Sequence, residues 1–126
     1  MSVKFKGEYV AGFGKGAFFV GLDGYKFRIR EKLGFTPFPG TLNLRVGGEV
    51  VELLRKLKFI ELSSFEQDGK KFGSCKLRPA VVGGLPAYLV VPQKNKHPPN
   101  ILEFISLFEL RKELKLEPSD KVEFEL

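Results

Sequence analysis

Tryptophan is absent from the chain, and cysteine and histidine occur once each, as Cys75 and His97. A lone cysteine cannot close an internal disulfide, which is the pattern of a cytosolic protein, and Cys75 reads as a small hydrophobe rather than a reactive thiol. A lone histidine with no cysteine or carboxylate at ligand spacing argues against zinc. Nothing marks a nucleophile beside His97, so a Ser-His-Asp or Cys-His apparatus is not expected. No apolar run approaches the ~18 residues of a membrane span, and no membrane partner is expected. The N-terminal Met-Ser-Val-Lys-Phe-Lys lacks the apolar stretch of a secretory signal, which points to a cytoplasmic location. Linkers, charge blocks and internal repeats are missing too, so residues 1–126 read as one domain with a single sizeable core.

What is present is an ordinary globular composition, 43% hydrophobic and 29% charged, with thirteen Phe carrying most of the aromatic packing. The net charge of +6 and a pI near 9.5 favour anionic partners: nucleic acid, nucleotides or an acidic surface. Charge alone does not choose among them.

Alternation of Val3, Phe5, Gly7 and Tyr9 with Lys4, Lys6 and Glu8 predicts a half-buried strand. A glycine loop over 12–16 and a second strand over 17–22 follow. Residues 25–33 fit either period: Tyr25, Phe27 and Ile29 alternate, while Tyr25, Ile29 and Leu33 form a helical stripe. Val50, Val51, Leu53, Leu54 and Leu57 predict a short amphipathic helix after the Gly47-Gly48 break. Strands over 59–65 and 72–82 are expected to flank a turn at Gln67-Asp-Gly69, and a second hairpin to turn at Gly83-Gly84. Residues 101–108 could be helix or buried strand. Residues 110–116 read as helix with Arg111, Lys112 and Lys115 exposed, and Val122, Phe124 and Leu126 as a last strand. Many short strands with brief helices predict a mainly β fold, a small closed or semi-closed barrel.

The most informative run is Phe35-Thr-Pro-Phe-Pro-Gly-Thr-Leu-Asn-Leu44. On a strand, Thr41 and Asn43 share one face while Leu42 and Leu44 enter the core. A hydroxyl and an amide oxygen side by side suit a hard cation such as magnesium when phosphates supply the charge. The spacing alone favours a plainer account, a Pro-Gly turn entering a strand whose polar residues face water. Gly12-Phe-Gly-Lys-Gly-Ala17 is neither a Walker motif nor a dinucleotide fingerprint, yet its glycines allow backbone N–H groups to curl toward an anion, with Lys15 beside them. A flexible hairpin loop is the alternative. Glu103 stands among Ile101, Leu102, Phe104 and Ile105, where a carboxylate could reach a dry cavity and act as a base. The pattern alone slightly favours an exposed Glu103. Lys4, Lys6, Lys26, Arg28 and Arg30 alternate with apolar residues and could line a nucleic-acid face, but no helix-turn-helix, zinc-finger or RNP signature accompanies them.

Taken together, the segments resemble the archaeal CTP-dependent riboflavin kinases, from about Lys6 to the C-terminus. The resemblance rests on Gly12-Phe-Gly-Lys-Gly16, Leu33-Gly-Phe35 leading into Pro39-Gly-Thr-Leu-Asn43, and His97-Pro-Pro-Asn-Ile-Leu-Glu103. Leu110-Arg-Lys-Glu-Leu-Lys-Leu116 and Ser119-Asp-Lys-Val-Glu123 complete it. Each piece is weak alone; their order and spacing are specific. The resemblance implies a six-stranded cradle-loop barrel in which Thr41 and Asn43 hold Mg2+. It gives the cytidine nucleotide to Gly12, Phe13, Gly14, Lys15, Gly16 and Ala17 and to Phe108, Glu109, Leu110 and Arg111. It gives the flavin to Asn95 and Glu103, with Asn95 standing where the family usually has Thr or Ser. CTP and riboflavin would be the substrates, CDP and FMN the products, and Glu103 the catalytic group that orients the attacking hydroxyl. The rival expectation is a non-catalytic nucleic-acid-binding barrel of the swapped-hairpin type; under the kinase reading no nucleic acid is expected.

Overall fold

A computed structural model describes residues 3–11, 23–92 and 98–126. The glycine loop over 12–17, the strand expected over 17–22, Asn95 and His97 lie outside the described residues. Strand β1 (Lys4–Tyr9) alternates as its sequence demands, with Gly7 and Tyr9 buried and Lys4 and Lys6 exposed. The ambiguous segment is helix α1 (Asp23–Leu33). Tyr25 and Ile29 are buried with Leu33 packed against them, whereas Phe27 is 61% exposed, so the helical stripe prevailed over the alternation.

Strand β2 (Leu42–Arg45) follows the proline-rich run, and helix α2 (Gly48–Leu54) follows the glycine break. The runs expected as two strands over 59–65 and 72–82 form four: β3 (Ile60–Leu62), β4 (Phe65–Gln67), β5 (Lys70–Phe72) and β6 (Cys75–Val82). β3 pairs with β6 and β4 with β5, so one long hairpin is interrupted at Ser63-Ser64 opposite Gly73-Ser74. Its tip turns through Asp68 and Gly69 at φ 52° and 76°, the pair of left-handed residues that matches strand twist in a two-residue loop. Gly83 and Gly84, at φ 56° and 86°, do the same between β6 and β7 (Leu85–Pro92). The segment left open between helix and strand is β8 (Ile101–Ile105), buried at all five positions. The helix expected over 110–116 is a single turn, α3 (Leu110–Glu113), and β9 (Lys121–Glu125) ends the fold.

Strands β6, β7, β8, β2, β1 and β9 pair in that order, and β9 returns to β6 through Val81–Glu125 and Val82–Phe124, closing a six-stranded antiparallel barrel. β3 lies beside the first residues of β6. All six barrel strands send residues to one buried cluster, which includes Tyr9, Leu44, Val82, Leu89, Phe104 and Phe124. Gly7 permits this closure: a Cβ there would lie 2.9 Å from Leu44 Cβ. A second cluster covers the outer face of β6, β7 and β8, where Tyr25 and Ile29 of α1 meet Leu77, Val90 and Ile105. Tyr25 packs edge-on against Phe65 and Phe72, both at 5.3 Å, and its hydroxyl donates to Gly73 O at 2.8 Å. Cys75 belongs to this layer, 2% exposed, and burial pushes its thiol up to about 12. It is a protonated core group at neutral pH, not a nucleophile. No helix among the described residues is long and apolar enough to cross a membrane.

Candidate functional site

β2 and β8 pair in a register that sets Leu42 opposite Phe104, Leu44 opposite Leu102, and Asn43 opposite Glu103. Leu42, Leu44, Leu102 and Phe104 all enter the barrel core. By the period of two, Asn43 and Glu103 therefore share the outer face. The row continues to Val90 of β7, which faces Glu103, and toward β1, where Val10 N–H donates to Asn43 O at 3.0 Å. Neither polar side chain is solvated: Asn43 is 6% exposed and Glu103 is 5%. The solvent-facing arrangement that the spacing alone favoured is thus overturned for both. β8 is covered on both faces, so its burial carries no alternation from which the sequence could have marked Glu103 as interior.

Asn43 Oδ1 is buried and has no hydrogen-bond partner among the described residues. A buried acceptor left this way costs about 1–3 kcal/mol, so it is kept for something other than stability. No group of three or more His, Cys, Asp and Glu that could hold a metal occurs among the described residues. What the site offers a cation is an amide oxygen, a hydroxyl two residues earlier and a carboxylate across the ladder. That donor set fits a hard divalent ion whose remaining ligands are phosphate oxygens and water.

Thr41 lies just before β2, half-buried, on the margin of a cleft of about 200 Å³. Inward-facing Tyr9, Leu42 and Phe104 form the floor of the cleft, so it opens at the barrel mouth. Phe38, Gly40 and Thr41 make one wall, and Phe108, Glu109, Leu110 and Arg111 the other. Residues 108–111, singled out in the sequence, are thereby brought together with Thr41. They do not act alike: Leu110 is 4% exposed and belongs to the core, while the Arg111 side chain is exposed. Ser106, which no motif marks, stands where the walls meet. Its Oγ donates to Pro86 O at 2.7 Å and accepts Phe108 N–H at 3.1 Å. Its carbonyl accepts Phe38 N–H at 2.8 Å.

The basic stripe does not assemble. Lys4 and Lys6 sit on β1, and Lys26, Arg28 and Arg30 on α1, where residues two apart do not share a face. Lys4 lies 3.6 Å from Glu123 and 3.9 Å from Glu125, and Arg28 lies over the Phe65 ring at 4.9 Å.

A closed β-barrel with a cleft at its mouth, and a buried amide–carboxylate pair across the two strands leading from that cleft, has the architecture of a small-ligand-binding barrel. More narrowly, the chain belongs to the family of CTP-dependent riboflavin kinases, whose family model (CTP-dep_RFKase, described as domain of unknown function DUF120) matches residues 9–126. It is 46% identical over 124 residues to the riboflavin kinase of Ignicoccus hospitalis, covering 96% of this chain and 69% of that protein. It is 39% identical to the riboflavin kinase of Archaeoglobus fulgidus over 99% of this chain and 55% of that protein. The riboflavin kinase of Thermococcus kodakarensis is 39% identical over 95% of this chain and 57% of that protein. The chain thus spans a little over half of the last two relatives.

Proposed function

We propose that the protein transfers the γ-phosphoryl group of CTP to the ribityl 5′-hydroxyl of riboflavin, giving FMN and CDP. The observation that carries this reading is the buried Asn43 Oδ1, without a hydrogen-bond partner among the described residues, opposite Glu103 and two residues from Thr41 on the cleft. Family membership supports the reaction class, and the family name supports CTP as the donor. In the transfer, a bond forms between the ribityl oxygen and the γ-phosphorus, and the bond from that phosphorus to the β–γ bridging oxygen breaks. The hydroxyl proton passes to Glu103, whose buried carboxylate orients the attacking oxygen.

The cleft takes the nucleotide between Phe38–Thr41 and Phe108–Arg111, with the exposed Arg111 as a cation for its phosphates. The loop of Gly12 to Ala17 begins three residues after Tyr9, a cleft residue, which suits its assignment to the phosphates. Asn95 follows Pro92, the end of β7, by three residues, and β7 places Val90 next to Glu103, which suits a flavin contact there. Thr41 and Asn43 would hold Mg2+, which when bound neutralises charge developing on the phosphate oxygens. With most catalysis coming from positioning and charge, the chain needs no covalent intermediate.

The test is FMN formation from riboflavin and magnesium, with CTP, ATP, GTP and UTP supplied separately. CTP should be the foremost donor. Product with ATP instead would keep the kinase and remove the donor assignment, and no product with any donor would remove the reaction.

A further inference from the structure

The two walls of the cleft come from segments far apart in the chain, and one buried serine holds both, the 108–111 wall through its hydroxyl and the 38–41 wall through its carbonyl. Ser106 is 2% exposed, at the end of β8. A hydroxyl has one donor and two acceptor positions. Here the donor is spent on Pro86 O at 2.7 Å, which fixes the side chain against the start of β7, and one acceptor position takes Phe108 N–H at 3.1 Å. The Ser106 carbonyl takes Phe38 N–H at 2.8 Å, and Phe38 O in turn takes Gly40 N–H at 2.8 Å, one residue before Thr41. One residue thus anchors the wall that carries Thr41 and the wall that carries Arg111 to the same strand end. Neither the nucleotide nor the flavin needs to touch the hydroxyl for this to matter.

We infer that Ser106 is a positioning residue that sets the spacing of the cleft walls, and through it the affinity for the nucleoside di- or triphosphate. The inference rests on the reading of this cleft as the nucleotide site. Replacing Ser106 by Ala leaves Pro86 O and Phe108 N–H without their shared partner, so the 108–111 wall loses its tether while the β2–β8 ladder holding Asn43 and Glu103 is untouched. The expected effect is selective for one ligand.

Binding of CDP with magnesium and of riboflavin would be titrated for the wild-type protein, Ser106→Ala and Ser106→Cys. Ser106→Ala should weaken CDP tenfold or more and leave riboflavin within about twofold. Ser106→Cys, close in shape but a weak donor and acceptor, should fall between the two. If Ser106→Ala does not fold, Ser106→Cys carries the test alone, and wild-type CDP affinity in it would overturn the inference. Equal loss of both ligands in Ser106→Ala would mean a general structural role and would overturn it as well. A wild-type protein that binds no CDP would instead remove the nucleotide-site reading on which the inference stands.

Discussion

Replacing Glu103 by Gln should lower turnover of riboflavin by roughly 10²–10⁴-fold, the range of a lost general base, while leaving CDP affinity near that of the wild type. Gln keeps the shape of the side chain and its acceptor oxygen but cannot take a proton. Glu103 faces Asn43 across one ladder position and Val90 across the other, so its backbone is fixed between two paired strands. Among the described residues at this row, Glu103 is the titratable one: Asn43 is an amide and Val90 is apolar. The measurement is kcat with saturating CTP, riboflavin and magnesium, beside a CDP titration. Turnover within a few-fold of the wild type would remove Glu103 as the group that accepts the proton.

The second large effect concerns Asn43. Asn43→Ala should reduce turnover by at least ~100-fold, because a direct metal ligand matters more than the outer-shell partners whose loss already weakens metal sites by 10–100-fold. Its stability should move the other way. The Oδ1 atom is buried without a partner among the described residues, at a cost of about 1–3 kcal/mol that alanine does not incur. Thermal unfolding in metal-free buffer should therefore show a Tm no lower than that of the wild type. Magnesium should raise the Tm of the wild type in the presence of CDP, by mass action on the folded state, and should not raise that of the variant. A variant that turns over normally, or one that is as strongly stabilised by magnesium and CDP, would remove the metal assignment.

The barrel was legible wherever one face of a strand meets water. β1 alternates apolar and charged residues, and the Gly83-Gly84 turn can adopt both left-handed conformations, so strand and hairpin follow from residue type. Legibility fails where both faces are covered. β8 is buried from Ile101 to Ile105, and a run without alternation reads equally as helix or strand. It also fails where two periods coincide, as over 25–33, until Phe27 is found in solvent and Ile29 in the core. The break at Ser63-Ser64 gave no Gly or Pro signal within the first of the two strand runs. At the site, Thr41 and Asn43 were visible as a period-two pair, and residues 108–111 through a resemblance. The opposition of Asn43 and Glu103 was not, because strand register joins residues sixty positions apart and no local pattern encodes it. Ser106 was invisible for a different reason: a serine whose hydroxyl and carbonyl together tie three segments looks in sequence like any serine in a loop.

The most direct measurement is a crystal structure of the protein with magnesium, CDP and FMN bound. The metal should be bonded to Asn43 Oδ1 and the Thr41 hydroxyl, the diphosphate should lie between the Phe38–Thr41 and Phe108–Arg111 walls, and the phosphate end of FMN should face Glu103. A metal held away from Asn43, or CDP seated outside the cleft, would contradict the assignment of this barrel mouth as the place where phosphoryl transfer occurs.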